Sequence, residues 1–283
     1  MASRSASAIM RLTSRDCALV WLLGELRYLT VSQIQQICFH TASVRTTSHR
    51  LTRLRRRRLL DCLTHRTFED RRAFWFLAPL GRSVAASLAG SPLPAPRADA
   101  VAALHMDHLI ATNQIFCDLC ALHRARRLGS FRWHGSQHAG IDVDDTRVVP
   151  DAVILTARPD GAVWMYCVEL DRGTMGWASL AAKFHRYRFL HRVAAQRARE
   201  PRWQIWGSSW VLFASANATR AALAAEAAAE CGLERFWAGT PAELPAGLAD
   251  SIGPESGCLP DLPWHLPGGV VPPVCPDGAE GPR

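Results

Sequence analysis

The segment Gly90-Ser-Pro-Leu-Pro-Ala-Pro-Arg97 sets the first limit on how this chain folds. Proline fixes φ and has no N–H to donate, so neither a helix nor a central strand runs through Pro92, Pro94 and Pro96. The stretch predicts a stiff connector. A chain of 283 residues holds about two separate cores, and the boundary falls here: one domain over 1–90, a linker at 91–97 and a second domain over 98–250. From 251 to 283 the sequence has eight Pro and six Gly and predicts a disordered tail.

Charge divides at the same place. Residues 1–90 carry 15 Arg against 5 Asp+Glu, whereas the rest carries 18 Lys+Arg against 20. The whole excess behind the net +8 therefore lies in the first third, which points to a polyanionic partner for that part. The longest apolar run, Cys17–Leu23, is too short to span a bilayer. The amino terminus through Arg11 has no apolar signal core. Nine cysteines, an odd number set mostly in apolar patterns, predict buried thiols in a reducing compartment, the cytoplasm, with no membrane partner.

The first domain reads as three short helices and a ribbon. Helical patterns cover 15–27, 32–38 and 43–57; Thr30-Val-Ser-Gln33 has the spacing of a capping box, and Ser43 is placed to cap the third helix. The inner face of that helix would be Val44, Thr47, Leu51 and Leu54. Two β-like runs follow at 60–66 and 73–77, then a short helix at 81–88. This is the order of a winged helix-turn-helix. The outer face of its third helix presents Arg45, Thr46, His49, Arg53 and Arg56, flanked by Arg50 and Arg57. Guanidinium groups there suit phosphates and the acceptor edge of guanine in the major groove, so double-stranded DNA is the expected partner. Arg66, Arg71 and Arg72 on the wing suit the adjoining backbone. Some winged helices turn this face to a protein instead.

The second domain begins with a long helix, about 98–127, followed by strands at 130–136, 148–156 and 163–170, with Arg158-Pro-Asp-Gly161 turning the last two into a hairpin. A helix at 177–196, a strand at 210–215 and a helix at 218–231 complete it. The class is α/β (α+β). Glu169 and Asp171 alternate onto one face of their strand, and the hairpin brings Asp151 towards them. Clustered carboxylates raise one another's pKa, a cost that a bound divalent cation removes; oxygen ligands suit Mg2+ or Mn2+. Of 33 basic residues only Lys183 is a lysine, with Tyr187 one helical turn later. A compact ammonium whose pKa can move is the chemical reason to keep one.

Several lesser patterns have plainer readings. Cys117-Asp-Leu-Cys120 with His105 and His108 has ligand spacing, but His108 and Cys117 lie about 13 Å apart along one helix and cannot close on one zinc ion. His105 is expected in the core, as are Trp164, Trp203, Trp206 and Trp210, and Gly173 serves a turn.

Asp151, then Glu169-x-Asp171 after a hairpin, then Lys183 resembles the PD-(D/E)xK restriction-endonuclease-like core, a mixed sheet flanked by helices, although the lysine usual two residues after the Glu is here Asp171. The wider pattern includes His105-Met-Asp-His-Leu-Ile-Ala-Thr-Asn113, Arg132-Trp133, Val149-Pro-Asp-Ala152, Glu169-Leu-Asp-Arg-Gly-Thr174 and Lys183-Phe-His-Arg-Tyr187. It resembles the replication-relaxation family of plasmids and integrative elements. That resemblance implies DNA binding, strand nicking in some members, and association with other replication or transfer proteins. It implies metal ligation by Asp151 and Glu169, a ligand or orienting role for Asp171, and charge stabilisation by Lys183. Gln137 stands where relatives often carry a Glu. Tyr187 is either a covalent nucleophile or, preferably, a supporting group. The rival reading is a non-catalytic DNA-binding replication or transcription factor on a degenerate nuclease fold.

Overall fold

The computed structural model describes residues 12–66, 71–90, 93, 103–157, 160 and 162–254. The expected tail from 255 onward, the wing tip 67–70, most of the linker and the turn residues 158, 159 and 161 lie outside the described residues. The rest is mixed α/β and divides into two compact units, whose described residues are 12–117 and 118–254.

In the first unit, side-chain caps fix where the helices begin. Thr13 and Thr30 make full capping boxes with Asp16 and Gln33, starting α1 (Ser14–Leu26) and α2 (Val31–Cys38); Ser43 accepts from Thr46 N–H to start α3 (Val44–Arg56). Between the first two helices lies β1 (Leu29–Thr30). After α3 come β2 (Leu60–Arg66), β3 (Arg71–Leu77) and α4 (Pro79–Ala89). The strands form an antiparallel sheet in the order β1-β3-β2. Two residues are too few for a periodicity, so β1 gave no sequence signal. Thr47, Leu51 and Leu54 are buried as expected, but Val44 is 54% exposed because it opens the helix ahead of the packed turns.

The helix α5 (Ala103–Arg124) supplies residues to both units. Within the first, Asn113 Nδ2 donates to the Leu26 and Tyr28 carbonyls at 3.0 and 2.9 Å, and Gln33 Nε2 donates to Ile110 O at 2.8 Å. Asn113 thus satisfies orphan carbonyls beyond α1, a structural use of a residue in the family-like segment. His105 is exposed, which corrects the expectation of a core histidine: it faces away from the side on which Met106 is buried.

The second unit is built on a five-stranded sheet. Its strands are β4 (Phe131–Gly135), β7 (Ala152–Ala157), β8 (Val163–Asp171), β9 (Trp210–Ser215) and β10 (Phe236–Gly239), in the order β10-β9-β8-β7-β4; a small hairpin, β5 (Ile141–Val143) with β6 (Thr146–Val148), stands apart. The pairs β4–β7 and β7–β8 are antiparallel, while β8–β9 and β9–β10 are parallel. The helices are α6 (Trp177–Gln196), α7 (Pro201–Gly207), α8 (Ala218–Glu230) and α9 (Glu243–Ile252). One sheet face packs Cys167, Val153, Val211 and Phe213 against Leu180, Phe184, Leu190 and Trp203. Trp203 and Trp206 are buried as expected, but Trp210 is 40% exposed at the opening residue of its strand. The seven described cysteines are thiols, five of them buried. No helix among the described residues is long and apolar enough to cross a membrane.

Candidate functional site

On α3, Arg45, Thr46, His49, Arg53, Arg56 and Arg57 all lie exposed, because Thr47, Leu51 and Leu54 take the opposite side inward. Arg50 does not join them. Its guanidinium donates through Nε at 2.7 Å, and also through Nη2, to the buried carboxylate of Asp16, which Thr13 holds in the α1 capping box. Arg50 and the Thr13 hydrogen bonds hold the Asp16 carboxyl below its usual range against the opposing effect of burial. Arg66 and Arg71 are directly paired at the turn end of the β2–β3 hairpin, with Arg72 opposite His65; the side chains of all three arginines lie outside the described residues.

The last seven residues of β8 are buried, so its two acids, Glu169 and Asp171, are each 1% exposed and require partners. Helix α6 supplies those of Glu169. Lys183 Nζ donates to Oε2 and Tyr187 O–H to Oε1, both at 2.5 Å, as the one-turn spacing of the two residues allows. Just ahead of β7, Asp151 Oδ2 accepts from Leu170 N–H at 2.8 Å, which pins its side chain beside β8 one residue beyond Glu169. Burial is the main cause that pushes the Glu169 carboxyl up to about 7; Lys183 opposes it and the Asp151 charge adds to it. Burial acts to lower the Lys183 pKa, but the carboxylates of Glu169, Asp151 and Asp171 together outweigh it and raise the ammonium. The Tyr187 phenol, fully buried against Glu169, rises well above its ordinary value, chiefly from burial.

Asp171 shares a strand face with Glu169 but has different partners. Its Oδ1 accepts from Gly173 N–H at 2.9 Å, and its Oδ2 from Arg220 Nε at 2.6 Å. Gly173 turns with φ 82, the left-handed conformation that favours glycine. Asn217 caps α8 on Arg220 N–H, and the same guanidinium also donates to Met175 O. Arg220 was not among the residues singled out from sequence. The available signal was weak but real: it is the one basic residue of the Ala-rich segment 218–231.

The site thus brings Asp151, Glu169, Lys183 and Tyr187 together, with Asp171 alongside and tied to Arg220. Among the described residues no group of three or more His, Cys, Asp or Glu is arranged to hold a metal ion. The donor set that remains, Glu169 on β8 with Asp151 just ahead of β7, still fits Mg2+, which keeps much of its water and binds through one or two carboxylates. Gln137 lies in the turn after β4. Lys183 is 26% exposed at its side chain and connects this buried cluster to solvent.

The molecule is therefore a mixed α/β protein with an arginine-faced helix in one unit and a buried acid–lysine–tyrosine cluster in the other. Residues 21–202, well over half of the chain, match the replication-relaxation family, and the chain belongs to it. No curated protein and no solved structure matches it.

Proposed function

We propose that this chain is a DNA-binding, metal-dependent endonuclease or nickase that acts in the replication or conjugative mobilisation of a plasmid or related element. The first unit is the reader, a winged helix-turn-helix that lays α3 on double-stranded DNA. The second is a restriction-endonuclease-like unit that cuts one strand. The observation that carries the catalytic reading is the meeting of Glu169 from β8, Asp151 from the residue before β7 and Lys183 from α6, with Lys183 Nζ 2.5 Å from Glu169.

The chemistry that Mg2+ or Mn2+ supplies in such a site is polarisation of a phosphoryl oxygen and activation of water. Asp151 and Glu169 would hold the ion, oriented by Leu170 N–H and by Tyr187 O–H respectively. Lys183 reaches solvent and is the group able to meet negative charge developing on the scissile phosphate. Asp171 and Arg220 are positioning residues that fix the turn after β8 beneath the site. Tyr187 is a supporting group: its O–H is buried, already donated to Glu169, and pushed away from ionisation. This favours hydrolysis over a tyrosine-linked intermediate.

One observation favours the rival reading, a non-catalytic replication or transcription factor. Both oxygens of Glu169 accept hydrogen bonds from within the protein, and so do both of Asp171. The deciding experiment incubates supercoiled plasmid carrying the element's own origin with Mg2+ or Mn2+ and either the wild type or Glu169→Ala. Nicked circles from the wild type alone are expected. Binding of that origin without any nicking would establish the rival.

A further inference from the structure

Residues 118–254 carry 16 Lys+Arg against 14 Asp+Glu, yet six of the basic residues and none of the acidic ones fall between 177 and 199. Outside that stretch the unit is net negative. Four of the six lie on α6, the helix that delivers Lys183 to Glu169, and Arg197 and Arg199 follow it. Packing directs the charge on α6 outward. Leu180, Phe184, Tyr187, Leu190 and Ala194 are buried, which leaves Arg186, Arg188 and Arg192 exposed.

Two of these arginines line a cavity of about 220 Å3 with His191 on the same helix and Gly232, Leu233, Glu234 and Arg235 from the loop after α8. Arg235 Nη1 donates to Gly207 O at 2.6 Å, and Arg192 lies 5.3 Å from the centre of the Phe189 ring. Arg188 lies against Gly232, whose φ of 66 suits glycine. His191 adds shape, not charge: its Nε2 is 3.1 Å from Ser209 Oγ, and burial, with the Arg235 charge adding to it, lowers its pKa to about 4. Against three arginines stands the single carboxylate of Glu234, so the lining stays net positive.

We infer that the Arg188–Arg192–Arg235 cavity is a phosphodiester-binding subsite and that this outer face of α6, opposite Lys183, is a second nucleic-acid surface of the chain. Guanidinium groups around a small cavity match a phosphate's acceptor oxygens. Lys183 and Arg192 are nine residues apart, half a turn out of phase, so the cavity lies on the far side of α6 from the Glu169 cluster. The inference rests on the DNA-processing reading above and adds a nucleic-acid contact in the second unit.

The test is DNA affinity of the full-length chain against salt, by fluorescence anisotropy, on labelled duplex and single-stranded oligonucleotides. Each phosphate contact adds about 0.9 to the slope of log affinity on log salt for duplex DNA, and about 0.7 for single strands. Arg188→Gln with Arg192→Gln is expected to lower the slope by roughly 1.5 to 2 and affinity by about tenfold on at least one of the two DNA forms. Arg188→Glu with Arg192→Glu should go further. Thermal unfolding checks that both double variants fold; if charge reversal unfolds the chain, the glutamine pair decides. Wild-type affinity and slope in a folded glutamine variant, on both forms, would overturn the inference. So would displacement by inorganic phosphate or pyrophosphate with no change in DNA slope, since that marks a pocket for a small free anion. Loss of nicking with this surface intact, or a wild type that binds no DNA, bears on the proposed function and is read separately.

Discussion

The two units place their charged residues in opposite ways. In the first, charge lies on the outside: the arginines of α3 face solvent over an apolar interior of Leu51, Leu54, Ile34 and Leu23. The buried carboxylate of Asp16 pairs with Arg50 and ties α3 to α1. In the second, the charges that matter lie inside. Glu169 and Asp171 end a strand that is otherwise core, and each is matched by one cation from a different helix, Lys183 or Arg220. Exposed charge costs little and is available to a partner. Buried charge is expensive and persists only where partners or a function hold it. On the proposed reading, the exposed arginines of α3, and those of α6 in the second unit, are for binding, and the buried acids of β8 are for catalysis.

The sharpest way to break that contrast is through Glu169. If the cluster is catalytic, Glu169→Gln keeps its size and the Tyr187 contact but removes the charge, and nicking at the cognate origin should fall by at least about a hundredfold. Origin affinity should stay within about twofold, as measured by anisotropy. An equal loss of both would mean that the cluster merely holds the fold together.

The next largest effect is expected at the buried pair of the first unit. Asp16→Ala strands Arg50, 20% exposed at its side chain, and dismantles the capping box of α1. Urea unfolding should show a loss of about 3 kcal/mol. A loss below about 1 kcal/mol would place Asp16–Arg50 with ordinary surface pairs and weaken its contrast with the rest of α3.

A third test uses acid. His134 on β4 is 1% exposed, and neither ring nitrogen has a hydrogen-bond partner; burial, helped by Arg132 and His138, lowers its pKa to about 3. The sign follows from linkage. The unfolded chain takes up the proton near pH 6.5 and the folded one does not, so stability is full above 6.5 and declines as pH falls towards 3. His134→Leu should remove up to about 3 kcal/mol of that decline between pH 6.5 and 4, because each tenfold difference in proton affinity is worth about 1.4 kcal/mol. Chemical denaturation at several pH values measures it, and an unchanged acid profile would show that His134 becomes charged within the folded chain.

The smallest effect should come from the exposed arginines. Arg53→Ala is expected to change stability by no more than about 0.5 kcal/mol. It should weaken duplex binding several-fold and lower the salt slope by about 0.9, the signature of one phosphate contact. If Arg53→Ala destabilises the fold as much as Asp16→Ala does, the surface and the interior of the first unit are not energetically distinct.

Legibility followed the length and regularity of each pattern. The helix at 177–196 and the strand at 210–215 were read to the residue, and the hairpin of β7 and β8 from its apolar runs and turn, because periodic burial repeats over enough residues to be seen. The short elements left no such trace. The strands β5 and β6 are three residues each in a stretch where Asp142, Asp144 and Asp145 resemble a loop; α7 is a seven-residue helix opened by Pro201; α9 carries Pro245 in its first turn. At the candidate site, strand alternation foretold that Glu169 and Asp171 share a face, and helical spacing foretold that Lys183 and Tyr187 act together. Neither foretold that Tyr187 and Lys183 would close on one carboxylate or that Arg220 would take the other.

Residue order alone determined the local elements, the arginine face of α3 and the scarcity of lysine, since each depends on neighbours a few positions apart. Which acid meets which base depended on contacts across 14 positions for Glu169 with Lys183 and 49 for Asp171 with Arg220. Such pairs are set by how sheet and helices pack, because the free energy that selects a partner for a buried charge comes from excluding water. That exclusion exists only once the chain has closed around it.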